Sequence, residues 1–152
     1  MIQVAAERKL KNLIITGFIP NAELPRYQAA CDVLLMPYQQ KVAASSGGDI
    51  ARYLSPMKLF EYMACGRAIV SSDLPVLREI LSPKTAILLP PEDQDAWVQA
   101  IVSLRENSTT CQQLGAAAKL QVNAYTWDVR ASRILGNDKI SLSPDTRKLG
   151  FL

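Results

Sequence analysis

Two charged side chains, Lys58 and Glu61, interrupt the otherwise apolar segment Ser55–Gly66, SPMKLFEYMACG. Read as a helix, the segment has Ser55 as its N-cap, Pro56 at the first helical position, Lys58 at the third and Gly66 just past the end. Lys58 and Glu61, three residues apart, then share a face. A lysine in the first turn faces partial positive charge and free N–H groups, where an acid is preferred. A bound anion resolves that conflict, because dipole, amides and ammonium all point at it; a phosphate or diphosphate is the natural ligand. Glu61, one turn deeper, can accept two hydrogen bonds from neighbouring hydroxyls, as a ribose presents them. The plain alternative is a solvated Lys–Glu pair worth roughly a few tenths of a kcal/mol.

Weaker chemical signals lie elsewhere. Ser71-Ser72-Asp73 follows an apolar run and either touches a ligand or caps the next helix. From Tyr38 to Leu54 runs YQQKVAASSGGDIARYL, seventeen residues between a predicted strand and a predicted helix. Ordinary connections of that kind take about two to six residues, and longer ones tend to be lids or binding loops. It leaves the carboxyl end of a strand, where open α/β sheets bind ligands; the alternative is an insertion that only covers a sheet edge. Gly47-Gly48 in its middle is not a P-loop, since no Gly-Lys-Ser/Thr follows, and no Gly-x-Gly-x-x-Gly occurs in the chain. Asn107-Ser108-Thr109 matches a glycosylation sequon but reads better as a turn and cap between helices.

Composition removes several classes of function. The chain has no histidine, so no Ser–His–Asp or Cys–His constellation and no His-ligated zinc or haem site can form within it. Cys31, Cys65 and Cys111 are odd in number, far apart and without a Cys-x-x-Cys, and read as buried thiols in a reducing compartment. Seventeen Lys plus Arg against fourteen Asp plus Glu, scattered along the 152 residues, lend no support to nucleic-acid binding. No signal peptide opens the sequence and no run reaches the length of a membrane span, so the expected location is cytoplasmic.

The elements that must position these residues alternate. Asn12–Thr16, Val33–Met36, Ala68–Val70 and Ala86–Leu89 are short, continuously apolar runs, as in strands buried on both faces of a parallel sheet. Helical patterns are expected at Ala22–Ala30 (capped by Asn21), Pro56–Ala64, Val76–Leu81, Asp93–Arg105, Thr110–Tyr125 and Trp127–Leu135. Trp97 and Trp127 fall at helical spacing with other apolar residues and are expected in the core. The fold class is α/β: a partial doubly wound, Rossmann-like parallel sheet of about four strands with flanking helices and a helical C-terminal third. One domain is expected over residues 1–135, followed by a polar, frayed tail over 136–152.

In order, NLIITGFIPNAELPRYQAACDVLLMPY, SPMKLFEYMACGRAIVSSDLPVLREIL, AILLPPEDQDAWVQAI and YTWDVRASRIL resemble the C-terminal, donor-binding domain of family-4 (group 1) glycosyltransferases of the GT-B fold. The likeness covers residues 10–135. It implies a signature Glu-x7-Glu whose second Glu meets the ribose of a nucleotide sugar; Glu61 matches that position. The first falls on Tyr53, so the carboxylate that usually faces the donor hexose is missing. Ser55, Pro56, Met57 and Lys58 would lie near the diphosphate, Gly47, Gly48 and Asp49 near the sugar, and Ser72 at the margin of the site. Lys58 and Glu61 would carry the catalytic role. No metal or separate cofactor is implied.

Length departs from the family. The acceptor half is absent, as are two strands that would lie between Asn12–Thr16 and Val33–Met36 in the order 3-2-1-4-5-6. Asn12–Thr16 must therefore pair directly with Val33–Met36, pair with another chain, or stay loose. The resemblance thus implies a fragment or truncated relative of a retaining glycosyltransferase, inactive alone. The intact protein would transfer sugar from a nucleoside-diphosphate sugar to a sugar, lipid or polyol hydroxyl. The missing N-terminal half or a partner chain would complete it. The alternatives are a nucleotide-binding partner module and a remnant without a site.

Overall fold

The computed structural model describes residues 7–40 and 57–135. Their elements are α1 (Leu24–Ala30), β1 (Val33–Met36), α2 (Met57–Cys65), β2 (Ala68–Ser72), α3 (Pro75–Arg78), β3 (Ile87–Leu89), α4 (Gln94–Glu106), α5 (Ser108–Val122), a 3-10 turn (Asn123–Tyr125) and α6 (Trp127–Leu135). The three strands form one parallel sheet in the order β1-β2-β3. Val33 pairs with Ala68 and Val70 with Ile87, which sets the register of each ladder.

Central β2 is buried along its whole length, and its alternating side chains enter two different clusters. Ile69, with Met36 of β1, packs among Leu59 and Met63 of α2 and Leu74, Leu77, Leu81 and Ala86. Ala68 and Val70 pack on the other face with Leu104 of α4 and Leu114 of α5. Continuous apolar runs are what a strand covered on both faces requires. Leu59 and Met63, four residues apart on α2, present one stripe to the sheet.

Glycine decides how α2 ends. Gly66 takes φ 66° and its N–H returns to the Met63 carbonyl at 3.1 Å, the left-handed stop that residues bearing a Cβ adopt reluctantly. Gly115 of α5 lies against that turn: a Cβ there would stand 2.3 Å from the Gly66 carbonyl oxygen. α5 thus crosses the amino end of β2, leaving the carboxyl ends of the strands on the opposite edge. The helix starts follow side-chain capping. Asp93 accepts from Ala96 N at 3.0 Å to open α4, and Asn107 accepts from Thr110 N at 3.0 Å to open α5. The cap predicted for Asn107-Ser108-Thr109 is therefore present.

Several expectations change. Asn12–Thr16 is not a strand: it joins no ladder, and Leu13, Ile14 and Ile15 are exposed, Ile14 at 84%. An apolar run becomes a strand only where a neighbour supplies hydrogen-bonding partners, and among the described residues β1 pairs with β2 alone. The sheet is accordingly three-stranded, one short of the four predicted runs. Trp97 does pack against the core, but Trp127 is 73% exposed, its ring under the Arg130 guanidinium. Cys31 is exposed and Cys65 and Cys111 are half-buried, all three free thiols. The predicted tail over 136–152 lies outside the described residues.

Candidate functional site

The carboxyl ends of the three strands are stitched together by hydrogen bonds from the residues that follow them. Fully buried Ser72, at the end of β2, donates its hydroxyl to the Tyr38 carbonyl at 2.6 Å, across to the exit of β1. On the other side, Asp73 N donates to the Leu89 carbonyl at 2.7 Å. The Trp97 indole donates to the Pro90 carbonyl at 3.0 Å, and the Gln40 amide to the Glu92 carboxylate at 3.3 Å. Asp73 takes both nitrogens of an Arg78 fork, one at 2.7 Å, and this pairing holds its carboxyl below the usual aspartate range.

α2 connects β1 to β2 in a parallel sheet, so its amino end belongs to this same edge. Met57 and Lys58 stand in the first described turn of the helix and are exposed. Glu61 follows in the second turn, also exposed, on the side of the helix that meets α1. There the Gln28 amide donates to Glu61 Oε2 at 3.4 Å, and the same amide accepts from Cys65 Sγ at 3.3 Å. Burial, reinforced by the Glu61 charge, pushes the Cys65 thiol above its ordinary pKa. Burial likewise raises neighbouring Tyr62.

The helix predicted over Pro56–Ala64 is therefore present as α2, with Lys58 and Glu61 on its leading turns. Ser72 stands at the same edge with its hydroxyl committed to Tyr38. Gly47, Gly48, Asp49, Ser55 and Pro56 lie outside the described residues, as does most of the seventeen-residue connection. Among the described residues no group of three His, Cys, Asp or Glu side chains could hold a metal ion, and no helix is long and apolar enough to cross a membrane. Gln28 escaped sequence reasoning because a glutamine on a helix surface carries no spacing signal. The Asp73–Arg78 pair escaped it because five residues separate the partners across a change from strand to helix.

The chain is similar in sequence and fold to known proteins. The family described as glycosyl transferases group 1 matches residues 2–107. Phosphatidyl-myo-inositol mannosyltransferase of Mycobacterium leprae is 33% identical over 104 residues, 62% of this chain and 27% of that protein. Sucrose-phosphate synthase of Thermosynechococcus elongatus superposes with a TM-score of 0.72 at 22% identity, covering 89% of this chain and 32% of that one. Anabaena Alr3699/HepE in complex with UDP superposes with a TM-score of 0.70 at 18% identity, over 89% of this chain and 34% of that one. The chain thus spans about a third or less of the length of these relatives, and its fold is the GT-B domain type.

Proposed function

The chain belongs to the glycosyl transferases of group 1, and from that membership we propose that the carboxyl edge of its sheet is part of a site for a nucleoside-diphosphate sugar. The observation that carries the reading is the start of α2: an exposed Lys58 on the first turn and an exposed Glu61 on the second, at the edge where the strands end. The helix N-terminus and the ammonium suit a diphosphate, and an exposed carboxylate suits the paired hydroxyls of a ribose. HepE, of the same fold, is described with UDP and with UDP-glucose, which supports a nucleotide sugar as the ligand class.

In a protein of its relatives' length, such a site would serve transfer of the sugar to a hydroxyl acceptor with retention. Its contribution would be positioning and stabilisation of the departing diphosphate. Lys58 and the amides of the first turn would face the charge as it develops, and Glu61 would hold the nucleotide in register. From the 152 residues alone, nucleotide binding without transfer is expected.

Calorimetric titration of the chain with UDP, GDP and ADP, and with their sugars, tests this. Saturable binding of one nucleotide is expected, weakened about tenfold or more in Glu61→Ala at unchanged thermal stability, the loss of a charge-assisted hydrogen bond. A folded chain that binds none of them would remove the proposal.

A further inference from the structure

We propose that Gln28 is a positioning residue for Glu61, its carboxamide holding one carboxylate oxygen so that the other stays directed at the ribose hydroxyls of the nucleotide. The inference rests on the function proposed above and adds a residue that stands outside the helix carrying the site.

The arrangement is specific in its polarity. An ionised glutamate only accepts hydrogen bonds, whereas a carboxamide has one accepting and one donating end. Gln28 Oε1 receives the Cys65 thiol at 3.3 Å, which leaves Nε2 to donate to Glu61 Oε2 at 3.4 Å. Turning the amide over would set oxygen against carboxylate and leave NH2 only the weakly accepting sulfur, losing the contact with Glu61. Cys65 is suited to the task because its thiol is raised above the ordinary range and stays protonated, hence a donor, at neutral pH.

The backbone beneath Gln28 is also tied. The Arg67 guanidinium, just before β2, donates to the Ala29 carbonyl at 2.5 Å, and Cys31 N donates to the Gln28 carbonyl at 3.3 Å. α1 buries no residue; the Arg67 bond ties its end to the turn that follows α2, and the Cys31 bond closes its own last turn. Glu61 Oε1 takes no part in the contact with Gln28. An exposed glutamate has several rotamers, and holding one before the ligand arrives reduces the ordering that binding requires.

The experiment compares the nucleoside diphosphate that binds, tried as UDP, GDP and ADP, with its 2′,3′-dideoxy form, using the full chain and calorimetry. Gln28→Leu is expected to weaken the diphosphate about three- to tenfold, the scale of one immobilised side chain, and to leave the dideoxy form unchanged. Added to Glu61→Ala, the same substitution is expected to do nothing. Equal loss for both ligands, loss that persists in Glu61→Ala, or no loss would each overturn the positioning role. A Glu61→Ala chain that binds as well as the parent would overturn the assignment of Glu61, and binding of nothing by the folded parent would overturn the function itself. The contact has its own readout: the Gln28 side-chain amide resonances should move in Glu61→Gln without any nucleotide, and unmoved resonances would overturn the inference independently.

Discussion

The hydroxyl of Ser72 donates to the carbonyl of Tyr38 at 2.6 Å from a position with no exposure to solvent. This bond joins the end of the central strand to the exit of its neighbour, beyond the last residue pair of the β1–β2 ladder, Met36 with Ser71. A serine at the end of an apolar strand is thereby explained without a ligand: it replaces the ladder bond that the departing chain no longer makes. Ser72→Ala should destabilise the fold by about 0.5–1.5 kcal/mol, the net worth of one hydrogen bond to a half-buried carbonyl. Urea unfolding should show a lower midpoint at an unchanged slope.

The approach of α5 to the turn after α2 leaves no room for a methyl group. With 2.3 Å between a Gly115 Cβ and the Gly66 oxygen, Gly115→Ala forces helix and turn apart and should cost about 1–3 kcal/mol. Thermal unfolding followed by circular dichroism should show a drop of several degrees. Unchanged stability would mean that α5 shifts freely, which its packing on both α2 and β2 argues against.

Asp73 couples stability to acid. Its folded-state pKa is depressed, first by the Arg78 hydrogen bond, so its contribution is present above the unfolded value of about 3.9 and is lost as pH falls through the folded value. Asp73→Asn should therefore flatten the stability profile below about pH 4 and leave its shape near neutrality unchanged. Arg78 is largely exposed, so the effect should be small and should shrink further in high salt. Denaturant midpoints measured between about pH 2 and pH 6 in both chains would check this.

The thiols should separate in alkylation. Burial raises the pKa of both Cys65 and Cys111, which keeps their thiolate fractions low at neutral pH. Exposed Cys31 should be labelled first by iodoacetamide, with Cys65 and Cys111 following at higher pH, as peptide mass spectrometry resolves. Glu61→Gln removes one of the charges that raise Cys65 and should move its labelling to lower pH, while Cys111 stays where it was.

Asn107 closes α4 and opens α5 at once, its backbone N–H on the Ser103 carbonyl and its side chain on Thr110 N. Asn107→Ala keeps the first bond and loses the second. A loss of about 1 kcal/mol is expected, and Asn107→Ser or Asn107→Asp should recover most of it. Chemical denaturation of the three variants would decide.

The comparison of Asn12–Thr16 with Val33–Met36 shows where sequence reading ended. Both runs are apolar and strand-like, but only the second has a ladder partner among the described residues. Trp127 and Trp97 make the same point: both sit at helical spacing with apolar neighbours, yet one packs on the sheet and the other is exposed. Periodicity says which residues could share a face, and packing depends on whether another element meets that face. The candidate site divides in the same way. Lys58 and Glu61 were legible because their placement on one face of α2 follows from their spacing, whereas Gln28 meets Glu61 from thirty-three residues away.

What the sequence determined by itself was therefore local and ordered. It held the alternation of strand and helix, the cap at Asn107, the glycine stop at Gly66, the polar face of α2 and the motif order of the group 1 glycosyl transferases. All but the last depend on residues a few positions apart, where backbone sterics and helix periodicity leave few choices. The tertiary structure alone decided which strand found a neighbour, that Ser72 closes on Tyr38, and that Gln28 stands between Glu61 and Cys65. Those contacts join distant segments, and their existence depends on how the layers pack, a property of the whole folded chain rather than of any one segment.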